Sequence, residues 1–226
     1  MAAAQLTEQQ WFSFLDYPRM LNQVKRRYKA GRTLEGKRKL RLFACGSCRL
    51  LAWDLKVPNS FRLMVETAER FADGELGMSS ISIKADGNPF PKPTYGPSWY
   101  AAYAMQQTNH TTASQAARWT ASHLVSTQPK DKQREMKKRL AEVVREVFGN
   151  PFRAVEIDPA WLAWHEGAIT KIAQTIYDER AWSDMPVLAD ALEEAGCHDT
   201  AMIEHLRGPG PHVRGCWVID ALLRKG

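Results

Sequence analysis

The stretch KRKLRLFACGSCRLLAWDL, residues 37–55, decides how the chain is read. Leu40, Phe43, Ser47, Leu51 and Leu55 recur close to every 3.6 residues, which places one apolar stripe along a helix. A strand would instead alternate apolar and polar residues with a period of two. The same periodicity extends on both sides. Met20, Leu21, Val24 and Tyr28 form an earlier stripe, and NSFRLMVETAERFADG follows, with Asn59 or Ser60 as its expected N-cap and Gly74 as its stop. Further along, Met136, Leu140, Val143, Val144 and Val147 face inward on one amphipathic helix. Asp158 followed by Pro159 is a strong helix start, and Asp199 stands where another cap belongs. Three helices are expected near 166–180, 185–195 and 199–206, and a last one from about Val213.

Only SISIK and FRAVEI suggest extended chain, so the expected class is all-α, a compact multi-helix domain of about ten helices. Residues 77–98, GMSSISIKADGNPFPKPTYGPS, hold three Gly and four Pro and read as a loop. The chain is then either one domain, 1–226, or two lobes, 1–76 and 99–226, joined by that loop.

With 226 residues, 44% hydrophobic, and eight Trp, eight Phe and six Tyr, the chain can build a real core. No apolar run approaches the ~20 residues that span a bilayer, and the N-terminus lacks the pattern of a secretory signal. The expectation is a cytoplasmic protein with no membrane partner. There, four cysteines serve as thiols or metal ligands rather than as a disulfide framework.

Net charge is +6, and its distribution matters more than its size. Between Arg19 and Arg49 lie eleven Lys or Arg opposed only by Glu35. Lys25, Arg26, Arg27, Lys37, Arg38, Lys39 and Arg41 are therefore the expected phosphate contacts. Nucleic acid, or another acidic partner such as a protein, is the corresponding ligand. The alternative is a solvated cationic face balanced by Glu66, Glu69, Asp73 and Glu75 just downstream. A second basic run, Lys130 to Arg145, mixes seven cations with three acids and reads as an ordinary helix surface.

Cys45-Gly-Ser-Cys48 is half of a zinc site, two thiols pointing the same way on one helix. Cys197 and Cys216 supply the remaining thiols, with His205 or His212 as further donors. The resulting candidate set is Cys45, Cys48, Cys197 and Cys216, with zinc as the cofactor, against the plainer reading of cysteine as a small buried hydrophobe. Acidic groups at Glu156, Asp158, Asp178, Glu179 and Asp184, and the pair His165-Glu166, fall in no hydrolase, deaminase or nucleotide-binding motif. ADALEEAGCHDTAMIEHLR has the outline of a helix–turn–helix, but Leu192 stands where a small residue is wanted, so a plain αα-hairpin is expected.

RGPGPHVRGC, residues 207–216, is the stiffest stretch of the chain. Pro209 and Pro211 fix φ, while Gly208 and Gly210 permit turns that other residues resist. It sets the angle of the closing helix or holds side chains for chemistry, and His212 and Arg214 are the polar groups it would hold most fixed.

The words KLRLFACGSCR, AERFADG, FGNPFRAVEIDPAWLAW, IYDERAWSDMPVLADALEEAGC and HLRGPGPHVRGCWVIDALL, in this order, resemble an uncharacterised family expanded in planctomycete bacteria. The resemblance covers about two thirds of the chain and skips roughly residues 75–130. It implies a cytosolic bacterial module present in many copies and brings no activity with it. That family often carries a further Cys at the positions of Ser47 and Leu206, departures that weigh against an obligatory cysteine-rich site here. The leading expectation is a non-enzymatic binding or regulatory module. A zinc-stabilised domain or metal-dependent enzyme is one alternative. The other is a protein–protein adaptor using Tyr95, Trp99 and Tyr100.

Overall fold

The computed structural model describes residues 5–82 and 96–225, which form twelve α-helices, three short 3₁₀ turns and no β-strand. Residues 83–95, which make up most of the Pro/Gly-rich loop and include Tyr95, lie outside the described residues. No helix among those described is long and apolar enough to cross a membrane.

The chain divides into two units at 145/146, not at the loop. The N-terminal unit holds α1 (Glu8–Ser13), α2 (Tyr17–Arg27), α3 (Leu34–Leu51), α4 (Asn59–Ala72), α5 (Pro97–Gln107), α6 (Ala113–Ser126) and most of α7 (Gln133–Phe148). Helices α4, α5 and α6 all pack on α3, and α5 packs on α4 and α6. The helices beyond the loop thus complete the core begun before it, which is why the loop does not separate two lobes.

As the central helix, α3 is buried on every side from Lys39 to Cys48. It also starts earlier than the glycines at 31 and 36 suggest. The Thr33 hydroxyl accepts from the Gly36 amide at 3.1 Å, capping the helix before Leu34. It ends at Leu51, so Leu55 falls outside it. Helix α4 starts without a side-chain cap, since Asn59 is already helical and its Oδ1 accepts from Arg62 at 3.0 Å.

Gly36 is required by packing, not by backbone freedom. A Cβ built there would stand 2.2 Å from Ala30 Cα, a backbone atom that cannot yield cheaply. Gly36→Ala is therefore expected to destabilise by about 1–3 kcal/mol, although alanine gains nearly 1 kcal/mol in helix propensity. A higher urea midpoint for the variant would refute this.

In the C-terminal unit, α8 (Pro159–Ala163), α9 (Ala168–Glu179), α10 (Met185–Glu194), α11 (Thr200–Arg207) and α12 (Trp217–Leu222) enclose a second core. Asp158 and Asp199 cap α8 and α11 as the sequence suggests, accepting from Ala160 and from Ala201 and Met202. Helices α10 and α11 form an αα-hairpin closed on its outer side by Arg207, which pairs with Asp190 at 2.6 Å and with Glu193. Ile176, Tyr177, Leu188, Leu192, Ile203, Leu206, Ile219 and Leu222 meet inside. Helix α12 begins at Trp217, four residues later than Val213, because the rigid loop runs on to Cys216.

Candidate metal centre

Three elements of the C-terminal unit converge at one point. The first is α11, whose last turn carries His205. The second is the loop that leaves α11 at Gly208 and reaches α12 at Cys216, bringing His212 with it. Gly210 has φ +92, and a Cβ there would lie 2.9 Å from the His212 amide nitrogen, so only glycine lets the chain turn back this tightly. The third is the end of α7, where Glu146 is 2% exposed. Its Oε1 accepts from the Val213 amide at 3.2 Å, which ties the loop to the carboxylate.

His205 Nε2 lies 3.2 Å from Glu146 Oε2 and 3.2 Å from Cys216 Sγ. His212 Nδ1 lies 3.5 Å from Glu146 Oε1 but makes no hydrogen bond, although it is buried. The other ring nitrogen of His212, Nε2, is 3.2 Å from the Gly208 carbonyl. If Nε2–H donates there, Nδ1 is left with a bare lone pair facing the carboxylate. One donor atom from each of Glu146, His205, His212 and Cys216 lies within 4.8 Å of all the others.

Those separations discriminate between chemistries. In a nucleophile–base–acid relay, the two histidine nitrogens face opposite partners, one the nucleophile and one the acid. Here the same nitrogen of His205 faces both the thiol and the carboxylate. Tetrahedral zinc, with bonds of about 2.0–2.3 Å to N, O and S, sets its ligand atoms about 3.3–3.6 Å apart. The three contacts at 3.2, 3.2 and 3.5 Å lie close to such edges. The arrangement is not that of a relay, and the four donor atoms are close enough together to serve one cation.

Without an ion, the electrostatics of the cluster are those of a buried carboxylate set against two imidazoles. Burial pushes the Glu146 carboxyl up, but its contacts to His205 and His212 outweigh this and hold it below the usual range. Burial likewise pulls His212 down, and Glu146 more than reverses it. Burial and the nearby Glu146 push the Cys216 thiol well up, so without a cation it is a poor nucleophile. A divalent ion reverses that balance, since a coordinated thiol is deprotonated.

Of the four cysteines expected as a ligand set, only Cys216 belongs to this cluster. Cys45 and Cys48 lie on α3 in the other unit, wholly buried, and burial raises both thiols. Cys197 is buried in the α10–α11 turn among core residues. These three pack as small hydrophobes. His212 is a member, whereas Arg214 faces α9, its guanidinium 5.1 Å from the Tyr177 ring. Glu146 escapes a reading that treats 130–145 as a surface run and assigns only apolar residues of this helix inward. The available signal is its spacing, three residues beyond the buried Val143.

The expected phosphate contacts divide into two groups. Arg26, Arg27 and Lys37 are exposed and Lys25 is half-buried. Arg38 instead pairs with Asp73 at 3.0 Å, and Lys39 is buried. Arg41 is 2% exposed and donates to the carbonyls of Thr108 and His110, the latter at 2.9 Å. These last three are committed inside the fold. Trp99 and Tyr100, expected as adaptor anchors, are half-buried, with Trp99 stacked on Tyr103 at 4.1 Å. Set beside family models, curated proteins and solved structures, the chain matches none of them.

Proposed function

We propose that residues 146–226 form a zinc-binding helical module in which Glu146, His205, His212 and Cys216 hold one structural ion. The observation that carries this reading is the convergence of four donors on one point, with a buried His212 Nδ1 that has no hydrogen-bond partner. A set of two nitrogens, one sulfur and one oxygen suits zinc, a borderline-soft ion without geometric demands of its own. Four protein donors fill a tetrahedral shell and leave no position for a substrate, which separates a structural site from a catalytic one. The Gly208 carbonyl on His212 and the Val213 amide on Glu146 are the outer contacts that orient ligands in such sites. The metal then locks the rigid loop and the start of α12 against the end of α7.

Elemental analysis of the purified chain tests this directly, with about one equivalent of zinc expected. Cobalt substitution should give the thiolate-to-metal absorption and the intense visible bands of a tetrahedral site, both lost in Cys216→Ser. Less than about a tenth of an equivalent of any transition metal, after refolding with zinc, would overturn the proposal.

A further inference from the structure

The N-terminal unit carries a second site, independent of the metal centre. Helix α2 ends in Lys25, Arg26 and Arg27, and the loop that follows adds Lys29 and Arg32, both exposed. This loop lies against α6, since a Cβ on Gly31 would come 3.3 Å from Ser114 Oγ. One turn beyond Ser114 on the same face of α6 stands Arg118, exposed and near enough to Lys25 to help lower its pKa. Sequence reasoning missed Arg118, which lies far along the chain from the basic stretch but beside Lys25 in space.

Next to Arg118 is Trp119, 43% exposed, with the guanidinium 5.6 Å from its ring centre. The other tryptophans differ: Trp11 is fully buried and Trp53 lies beneath Arg49, although Phe12 of α1 is also exposed. Lys25, Lys29, Arg32 and Arg118 form no ion pair among the described residues. Glu35, the one acid in the 19–49 stretch, is half-buried. Gathering cations from two helices and a loop costs repulsion, which a polyanion would relieve. An exposed indole at the margin of such a surface is a platform for a flat ring.

We propose that the face formed by Lys25, Lys29, Arg32, Arg118 and Trp119 binds single-stranded nucleic acid. The cations follow the phosphates and Trp119 stacks on a base. A duplex hides its base faces and an acidic polypeptide offers none, so the indole favours an unpaired strand over either.

The test is fluorescence anisotropy of the full chain with a labelled oligothymidine of about 20 nucleotides, longer than the ~4–16 nucleotides of typical single-strand sites. With about four phosphates engaged, affinity should fall roughly fiftyfold between about 50 and 200 mM salt. Arg118→Glu should weaken binding about tenfold or more and flatten the salt dependence. Trp119→Ala should weaken it about fivefold or more and leave the salt dependence unchanged, the mark of stacking rather than charge. Both side chains are exposed, and unchanged circular dichroism will show that the fold is intact. Undetectable binding at about 50 mM salt would overturn the proposal. So would a Trp119→Ala protein of full affinity, or a matched duplex or polyglutamate bound as tightly as the single strand. None of these outcomes depends on whether zinc is present.

Discussion

Removing the proposed zinc, by a strong chelator or by Cys216→Ser, is expected to lower the thermal midpoint of the C-terminal unit by roughly 15–30 °C. The size follows from mass action. At free zinc a thousandfold above its dissociation constant, an ion bound only by the folded state contributes about 4 kcal/mol. In a unit of this size each kcal/mol is worth about 4–8 °C. The unit has its own apolar core, with Ile176, Leu188, Leu192, Ile219 and others fully enclosed, so partial rather than total unfolding is expected. The loss should concentrate where the ligands are. Amides of α11, the 208–216 loop and α12 should exchange much faster, whereas those of α3, in the other unit, should not change. Two comparisons isolate the ion. Cys216→Ser keeps Glu146 and both histidines, hence the buried acid–imidazole contacts, but loses the sulfur ligand. Cys197→Ser removes a buried thiol that touches no ligand and should retain full zinc. If chelation leaves the midpoint where it was while both variants destabilise alike, the cluster is a buried polar network and not a metal centre.

Much of the fold is legible in the sequence because helical phase is local. The stripes on α2, α3, α4 and α7 and the caps at Asp158 and Asp199 need only a few neighbouring residues to be recognised. What escapes is non-local. Gly36 reads as a break because glycine disfavours helix, whereas the structure uses its missing side chain to let Ala30 approach. Lys39 and Arg41 read as surface charge. On a helix covered from all sides they are enclosed, and Arg41 is satisfied only by carbonyls nearly seventy residues away. The candidate site divides in the same manner. His205, His212 and Cys216 sit within one stretch whose stiffness draws attention, although the thiols at Cys45, Cys48 and Cys197 compete for it. Glu146, the residue that completes the cluster, comes from a helix end whose neighbouring charges look like solvent-facing residues.

Glu69→Leu should be the most damaging single change in the N-terminal unit, at about 3–5 kcal/mol. The Glu69 carboxylate on α4 is 1% exposed, and both its oxygens are taken by Arg49 of α3, at 2.6 and 2.7 Å. Arg49 also lies over the Trp53 ring at 4.3 Å. Burial works against the Arg49 charge, but the contacts with Glu69 outweigh it and raise its pKa, so the two charges depend on each other. Removing the acid leaves a guanidinium mostly enclosed by apolar groups, with only the half-exposed Glu66 at 3.9 Å to replace it. For a unit of about 145 residues that corresponds to a fall of roughly 6–20 °C in melting temperature. The double change Glu69→Leu with Arg49→Met should recover most of this, because replacing a buried pair by apolar groups of similar volume is often neutral or stabilising. The damage thus lies in the orphaned charge, not in the absence of a salt bridge. A Glu69→Leu protein within about 1 kcal/mol of the parent, or a double variant as unstable as the single, would show that the pair is solvated enough to be dispensable.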